Sequence, residues 1–126
     1  MITQLLHPAL SVRDMEAALD FYRFVLGFPV LFRLSDEAGR PKTVYLEVRP
    51  GQYLELFYSR EAPEEPRTPE EAGNTYGYQH LRFLCASTEA LEGRLLRAGI
   101  PCRREDGGLW FRDPEGNLLR AEPEKH

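Results

Sequence analysis

The chain is poor in several residue types, and each scarcity excludes something. Two cysteines, Cys85 and Cys102, stand 17 positions apart among 126 residues. That spacing makes neither a metal knuckle nor a disulfide framework, so both read as reduced, mostly buried thiols of a cytoplasmic protein. No apolar run approaches the roughly 18 residues needed to span a bilayer. The opening MITQLLHPAL has neither a basic stretch nor an apolar core of signal-peptide length, so export is not expected. Lysine is nearly missing, 2 against 14 arginines, which points to no particular partner. The net charge of −4 argues against nucleic acid as the main partner. There is no Gly-x-Ser-x-Gly elbow and no phosphate loop, so hydrolase and nucleotide-binding readings lack support.

What is present reads as a repeat. In LLHPALSVRDMEAALDFYRFVLGFPV, residues 5–12 have strand character and Asp14 is placed to cap a helix. Met15, Ala18, Leu19, Tyr22 and Leu26 then recur at helical spacing, and Gly27 followed by Pro29 ends the run. In GYQHLRFLCASTEALEGRLLRAGIPC a strand at 80–85 leads to a cap at Ser87 or Thr88. A helical period follows through Leu91 and Leu95, and Gly99 with Pro101 ends it. His80 matches His7 at an offset of 73, and Gly-Ile-Pro matches Gly-Phe-Pro at an offset of 72. Strands are expected near 28–34, 43–49 and 53–58, and again near 102–105, 109–112 and 117–122, separated by glycine-containing turns. Two copies of one supersecondary unit, βαβββ, account for this pattern.

The expected class is therefore α+β: two tandem βαβββ modules whose curved mixed sheet surrounds a cavity, with the helices on the outer face. The first module covers 1–60 and the second 76–126, together one domain. The acidic, proline-rich segment between them, within 61–75, reads as an exposed linker or as a lid over a site.

Strand alternation sorts the side chains. Leu6, Leu10 and Val12, and Leu54, Leu56 and Tyr58, form apolar faces that suit the helices. The opposite faces carry His7, Tyr53, Glu55 and Phe57 in the first copy, and His80, Arg82, Arg120 and Glu122 in the second. Ionisable groups among aromatics make a pocket face. A strand histidine alone is ordinarily a solvated surface residue. Two histidines at equivalent places suggest convergence, because a pseudo-twofold arrangement would bring His7 to His80 and Glu55 to Arg120.

HPALSVRDMEAALDFYRFVLGF and FRDPEGNLLRAE resemble the vicinal oxygen chelate superfamily, which includes glyoxalases, bleomycin-resistance proteins and dioxygenases. The resemblance covers nearly the whole chain outside the linker. It implies paired βαβββ modules around a cavity, often shared across a homodimer. Metal-dependent members, glyoxalase I among them, place one ligand on each of four strands. Position by position, His7, Glu55 and His80 fall on the first three, and Glu55 is then also the carboxylate that moves a proton. The implied metal is Zn²⁺, Ni²⁺, Mn²⁺ or Fe²⁺, or none at all. The fourth position, commonly Glu, is Arg120.

A guanidinium 4 Å from a divalent ion would repel it by roughly 8 kcal/mol at an effective dielectric near 20. A glyoxalase I reaction is therefore not expected. Three functional readings follow. The first is a metalloenzyme, a lyase, isomerase or dioxygenase, with an incomplete site. The second is a metal-free protein that sequesters a small polar or anionic molecule. The third is an interaction module with a degenerate site. In the metal-free reading Arg120 pairs with Glu55, Arg82 adds positive charge, and Tyr53, Phe57 and Trp110 offer stacking surfaces.

Overall fold

A computed structural model describes residues 1–59 and 80–124; the expected linker or lid lies outside them. The chain forms two compact units, Met1–Glu64 and Glu65–His126. The first contains β1 (Ala9–Val12), α1 (Met15–Leu19) continued by a π-helical turn (Asp20–Val25), β2 (Val30–Ser35), β3 (Pro41–Arg49) and β4 (Gln52–Tyr58). The second contains β5 (His80–Cys85), α2 (Thr88–Arg97), β6 (Cys102–Glu105), β7 (Gly108–Arg112) and β8 (Leu118–Pro123). Each unit is a βαβββ module with a mixed four-stranded sheet. The strand orders, β1-β4-β3-β2 and β5-β8-β7-β6, are the same. In each, the first strand pairs parallel with the last, as a helical crossover requires.

The ends of the helices follow from single residues. Asp14 Oδ1 accepts from the Ala17 amide at 3.0 Å, and Ser87 Oγ accepts from Ala90 at 3.1 Å. Each satisfies an amide that a helix start leaves open, worth about 1 kcal/mol. At the other end Gly99 takes a φ of 76°, and the Ile100 amide returns to the Leu95 carbonyl at 2.8 Å.

Side-chain alternation then builds the cores. Leu54 and Leu56 on β4 and Val44 and Leu46 on β3 are fully buried beneath Val12, Ala18 and Tyr22. In the second unit Leu109, Phe111, Leu119 and Ala121 close the sheet face beneath Leu95. Each buried leucine contributes about 1.5–3 kcal/mol.

Three expectations require correction. The first strand begins at Ala9, not at residue 5, and Leu6 is exposed. Pro8 has no amide to donate; its carbonyl accepts from the Glu55 amide at 3.1 Å, and the ladder starts one residue later. His7 thus precedes the strand. Second, the first helix does not stay α-helical. The Leu26 amide reaches back five residues to Phe21 at 3.0 Å, and the wider turn buries both Phe21 and Tyr22. Third, Tyr58 does not join Leu54 and Leu56 in the core; at the strand's end it is exposed.

Candidate functional site

The first unit gathers its polar groups around Glu55. This residue stands opposite Tyr45 on β3 and beside Ala9 on β1. His7 Nε2 lies 2.9 Å from Glu55 Oε1, with both side chains about four-fifths buried. A carboxylate can only accept, so Nε2 carries the proton in this arrangement. The Tyr45 phenol hydrogen-bonds the same carboxylate, and that bond, with desolvation and the carboxylate's charge adding to it, raises the phenol's pKa above the usual 10.0. The Tyr45 ring meets the edge of His7 at 5.5 Å and stacks on Phe32 at 4.4 Å. Tyr53 and Phe57 share this sheet face, opposite Glu47 and Thr43 respectively. Tyr45 and Phe32 were missed in the sequence. Tyr45 was within reach, because it is the copy of Trp110 once the β3–β4 and β7–β8 registers are known.

The second unit builds the same face around Arg120. Arg120 stands opposite Trp110 on β7 and beside Arg82 on β5. The edge of His80 meets the Trp110 ring at 5.2 Å, the counterpart of the His7–Tyr45 contact. The Arg120 guanidinium lies over the indole at 4.7 Å. Its Nε donates to Glu122 Oε1 at 2.7 Å, its Nη1 to the Glu105 carbonyl at 3.3 Å and its Nη2 to the Asp106 carbonyl at 2.9 Å. Arg82 donates to the same Glu122 oxygen. The two guanidinium groups hold the Glu122 carboxyl below its usual pKa, Arg120 most strongly.

Arg120 is thus not a loose polar side chain on a solvated face. It is 8% exposed, against the expectation from strand alternation. The side chain runs along β8 onto the β6–β7 turn, over Gly108. A Cβ at position 108 would lie 2.4 Å from the guanidinium carbon. Each member of the expected Arg120–Glu55 pair has partners inside its own unit: Glu122 and two carbonyls for Arg120, His7 and Tyr45 for Glu55. The physical reason is reach. Glu122 lies two residues along the same strand face, and the turn carbonyls need donors.

The turn before β8 sets the strand's register. Asp113 Oδ1 accepts from the amides of Glu115 and Asn117 at 2.9 and 2.8 Å, and its Oδ2 accepts from the Asn117 side chain at 2.9 Å. Gly116 supplies the positive φ, 86°. This explains Asp-Pro-Glu-Gly-Asn as a local device for presenting Leu118 to Glu122.

The donor set bears on metal binding. His7 Nε2 and Glu55 Oε1 have the separation of two neighbouring ligands each about 2.1 Å from one ion. The fourth position offers a guanidinium, which has donors only and cannot ligate. Among the described residues no group of three or more His, Cys, Asp or Glu side chains is close enough to hold a metal ion. The residues present do not fit a four-ligand metal centre.

Comparison with known proteins agrees with this frame. A relative from Arabidopsis thaliana, Glyoxylase I 4, is 28% identical over 130 residues, covering 94% of this chain and 69% of that protein. The crystal structure of a glyoxalase family protein from Enterococcus faecalis superposes with a TM-score of 0.70 at 30% identity, covering 94% of this chain and 95% of the other. The fosfomycin resistance protein FosX from Listeria monocytogenes, in a complex with Mn(II) and sulfate, superposes with a TM-score of 0.73. It covers 99% of this chain and 95% of its own at 16% identity, a likeness of fold alone. The family profile matches residues 4–121, nearly the entire described fold, and with the paired βαβββ units this shows that the chain belongs to the Glyoxalase/Bleomycin resistance protein/Dioxygenase superfamily.

Proposed function

We propose that this protein is a metal-free member of the superfamily that binds a small polar or anionic molecule on the polar sheet faces of its βαβββ units. The observation that carries the reading is the buried Arg120 at the place of a fourth ligand, held by Glu122 and two carbonyls. A side chain with that many partners does not swing aside for a cation. The carboxylate it grips is likewise engaged. In this reading His80, Arg82 and Trp110 offer the second unit's face to an anionic group. On the first unit's face Glu55, His7 and Tyr45 offer hydrogen bonds to a polar molecule, with Tyr53 and Phe57 beside them.

A second reading has one observation in its favour, the ligand-like 2.9 Å spacing of His7 and Glu55. In it His7, Glu55 and His80, the ligands the resemblance implies, would hold a divalent ion able to supply Lewis-acid chemistry, and Glu55 would also move the proton. Calorimetric titration of untagged protein with Zn²⁺, Ni²⁺ and Mn²⁺ separates the two. The metal-free reading expects no stoichiometric binding to the native chain and a gain of binding in Arg120→Glu. Tight binding that His7→Ala abolishes would establish the second reading instead. A homodimer, common in the resemblance that the sequence carries, belongs to the same proposal; sedimentation should give about twice the chain's 14.5 kDa.

A further inference from the structure

We propose that Arg82 is the residue that recognises the anion, and that Arg120 acts through Glu122 to position it. This rests on the anion-binding reading and names its specificity-determining side chain.

The two arginines look alike in sequence but are unlike in the fold. Arg120 has 10% of its side chain exposed, and its stacking and three hydrogen bonds hold the guanidinium in place. A ligand could recruit it only by breaking that set. Arg82 has 59% of its side chain exposed. Among the described residues its one carboxylate partner is Glu122, engaged through Nη2. The rest of the planar fork faces outward on the same strand face as His80, two residues earlier. His80 is exposed and stands against the edge of Trp110.

The charges favour an anion. Arg82 and Arg120 carry two positive charges and Glu122 one negative, an excess of one at this point of the sheet. A fixed guanidinium presents paired N–H donors that match the oxygens of a carboxylate, phosphate or phosphonate. Glu122 restricts Arg82 to one orientation, and Arg120 restricts Glu122. The side-chain entropy that Arg82 would lose on binding has thus been partly removed beforehand. The ligand class is a small oxyanion carrying an apolar or aromatic body that can lie against Trp110.

Trp110 is the chain's single tryptophan, so its fluorescence reports on this site alone. Chelator-treated protein at constant ionic strength is titrated with inorganic phosphate, acetate and phenylphosphonate. At least one is expected to give a saturable response, with phenylphosphonate tightest. Arg82→Gln should weaken that binding about tenfold or more, and Arg82→Lys by less. Arg97→Gln, which removes an exposed arginine of α2, on the side of the sheet away from Trp110, should change it little.

Glu122→Gln is the decisive variant. It adds a unit of positive charge, so simple attraction predicts tighter binding, whereas positioning predicts weaker binding. Unchanged binding in Arg82→Gln, or no saturation with any of the three anions, overturns the assignment. Tighter binding in Glu122→Gln overturns the positioning role. The metal-free reading fails separately, on metal titration of the native chain, whatever Arg82 does.

Discussion

The two units share one frame and fill it with opposite charges. In the first, the edge of His7 meets Tyr45, and the residue across the ladder from that aromatic is Glu55. In the second, the edge of His80 meets Trp110, and the residue across the ladder is Arg120. The exchange of Glu for Arg does not stand alone. Registers Val44–Leu56 and Leu109–Ala121 are equivalent, so Thr43 and Phe57 of the first unit correspond to Gly108 and Glu122 of the second. Those are the two neighbours that Arg120 requires. Glycine leaves the space its guanidinium occupies, and Glu122 supplies the carboxylate. A carboxylate accepts from whatever donors are near, whereas a buried guanidinium must find several acceptors. Arg120 is therefore an integrated part of the second sheet rather than a ligand lost in isolation.

The comparison can be tested first where the units should agree. Leu54 and Leu119 hold equivalent, fully buried positions. Truncation of either to alanine is expected to cost about 2–5 kcal/mol in denaturant unfolding, with similar values for the two. A large difference would break the equivalence of the cores.

The next test is where they should differ. Arg120→Met removes two part-buried hydrogen bonds from a charged donor to the β6–β7 turn carbonyls and should cost about 1.5–3 kcal/mol. Gly108→Ala should cost a comparable amount by displacing the guanidinium, but only about 0.5 kcal/mol in the Arg120→Met background. Additive losses in that double-mutant cycle would show that Gly108 is not there for Arg120.

Smaller effects appear as pH dependence. Glu122 has a lowered pKa in the folded protein, so the unfolded chain binds its proton more readily. The stabilisation is fully present above the ordinary value of 4.5 and is lost as pH falls below it, through the lower folded value. Unfolding midpoints measured across this acid range should fall less steeply in Glu122→Gln. The smallest effect concerns Tyr45, whose raised pKa favours the protonated phenol in the folded state. Its stabilisation is present below pH 10.0 and lost as pH rises above that value. NMR titration of labelled tyrosine should place Tyr45 above 10.0 in the native chain and return it toward that value in Glu55→Gln.

Local signals were legible in advance. Asp14, Ser87, Gly27 and Gly99 mark the helix ends, because caps and left-handed turns depend on the residue at one position. The paired offsets expose the βαβββ repeat, and within it GNLLRAE is the copy of GQYLELF, with Arg120 at the place of Glu55. The start of β1 was misjudged because Pro8 acts through a missing donor, which hydrophobic period does not register. The π turn at Asp20–Val25 was hidden because it changes which residues meet the core without changing their composition.

The site divides along the same line. Residue type, period and spacing are properties of the chain, and they yield the βαβββ repeat; the resemblance those motifs carry to the superfamily singles out His7, Glu55, His80 and Arg120. They do not say where a long side chain goes. That depends on which strand lies alongside and in what register. Only the β7–β8 pairing brings Gly108, Trp110 and the Glu105 and Asp106 carbonyls to Arg120, and only the β3–β4 pairing brings Tyr45 to Glu55. An arginine has enough torsional freedom to serve as ligand contact, spacer or brace. The acceptors that tertiary pairing supplies make Arg120 a brace.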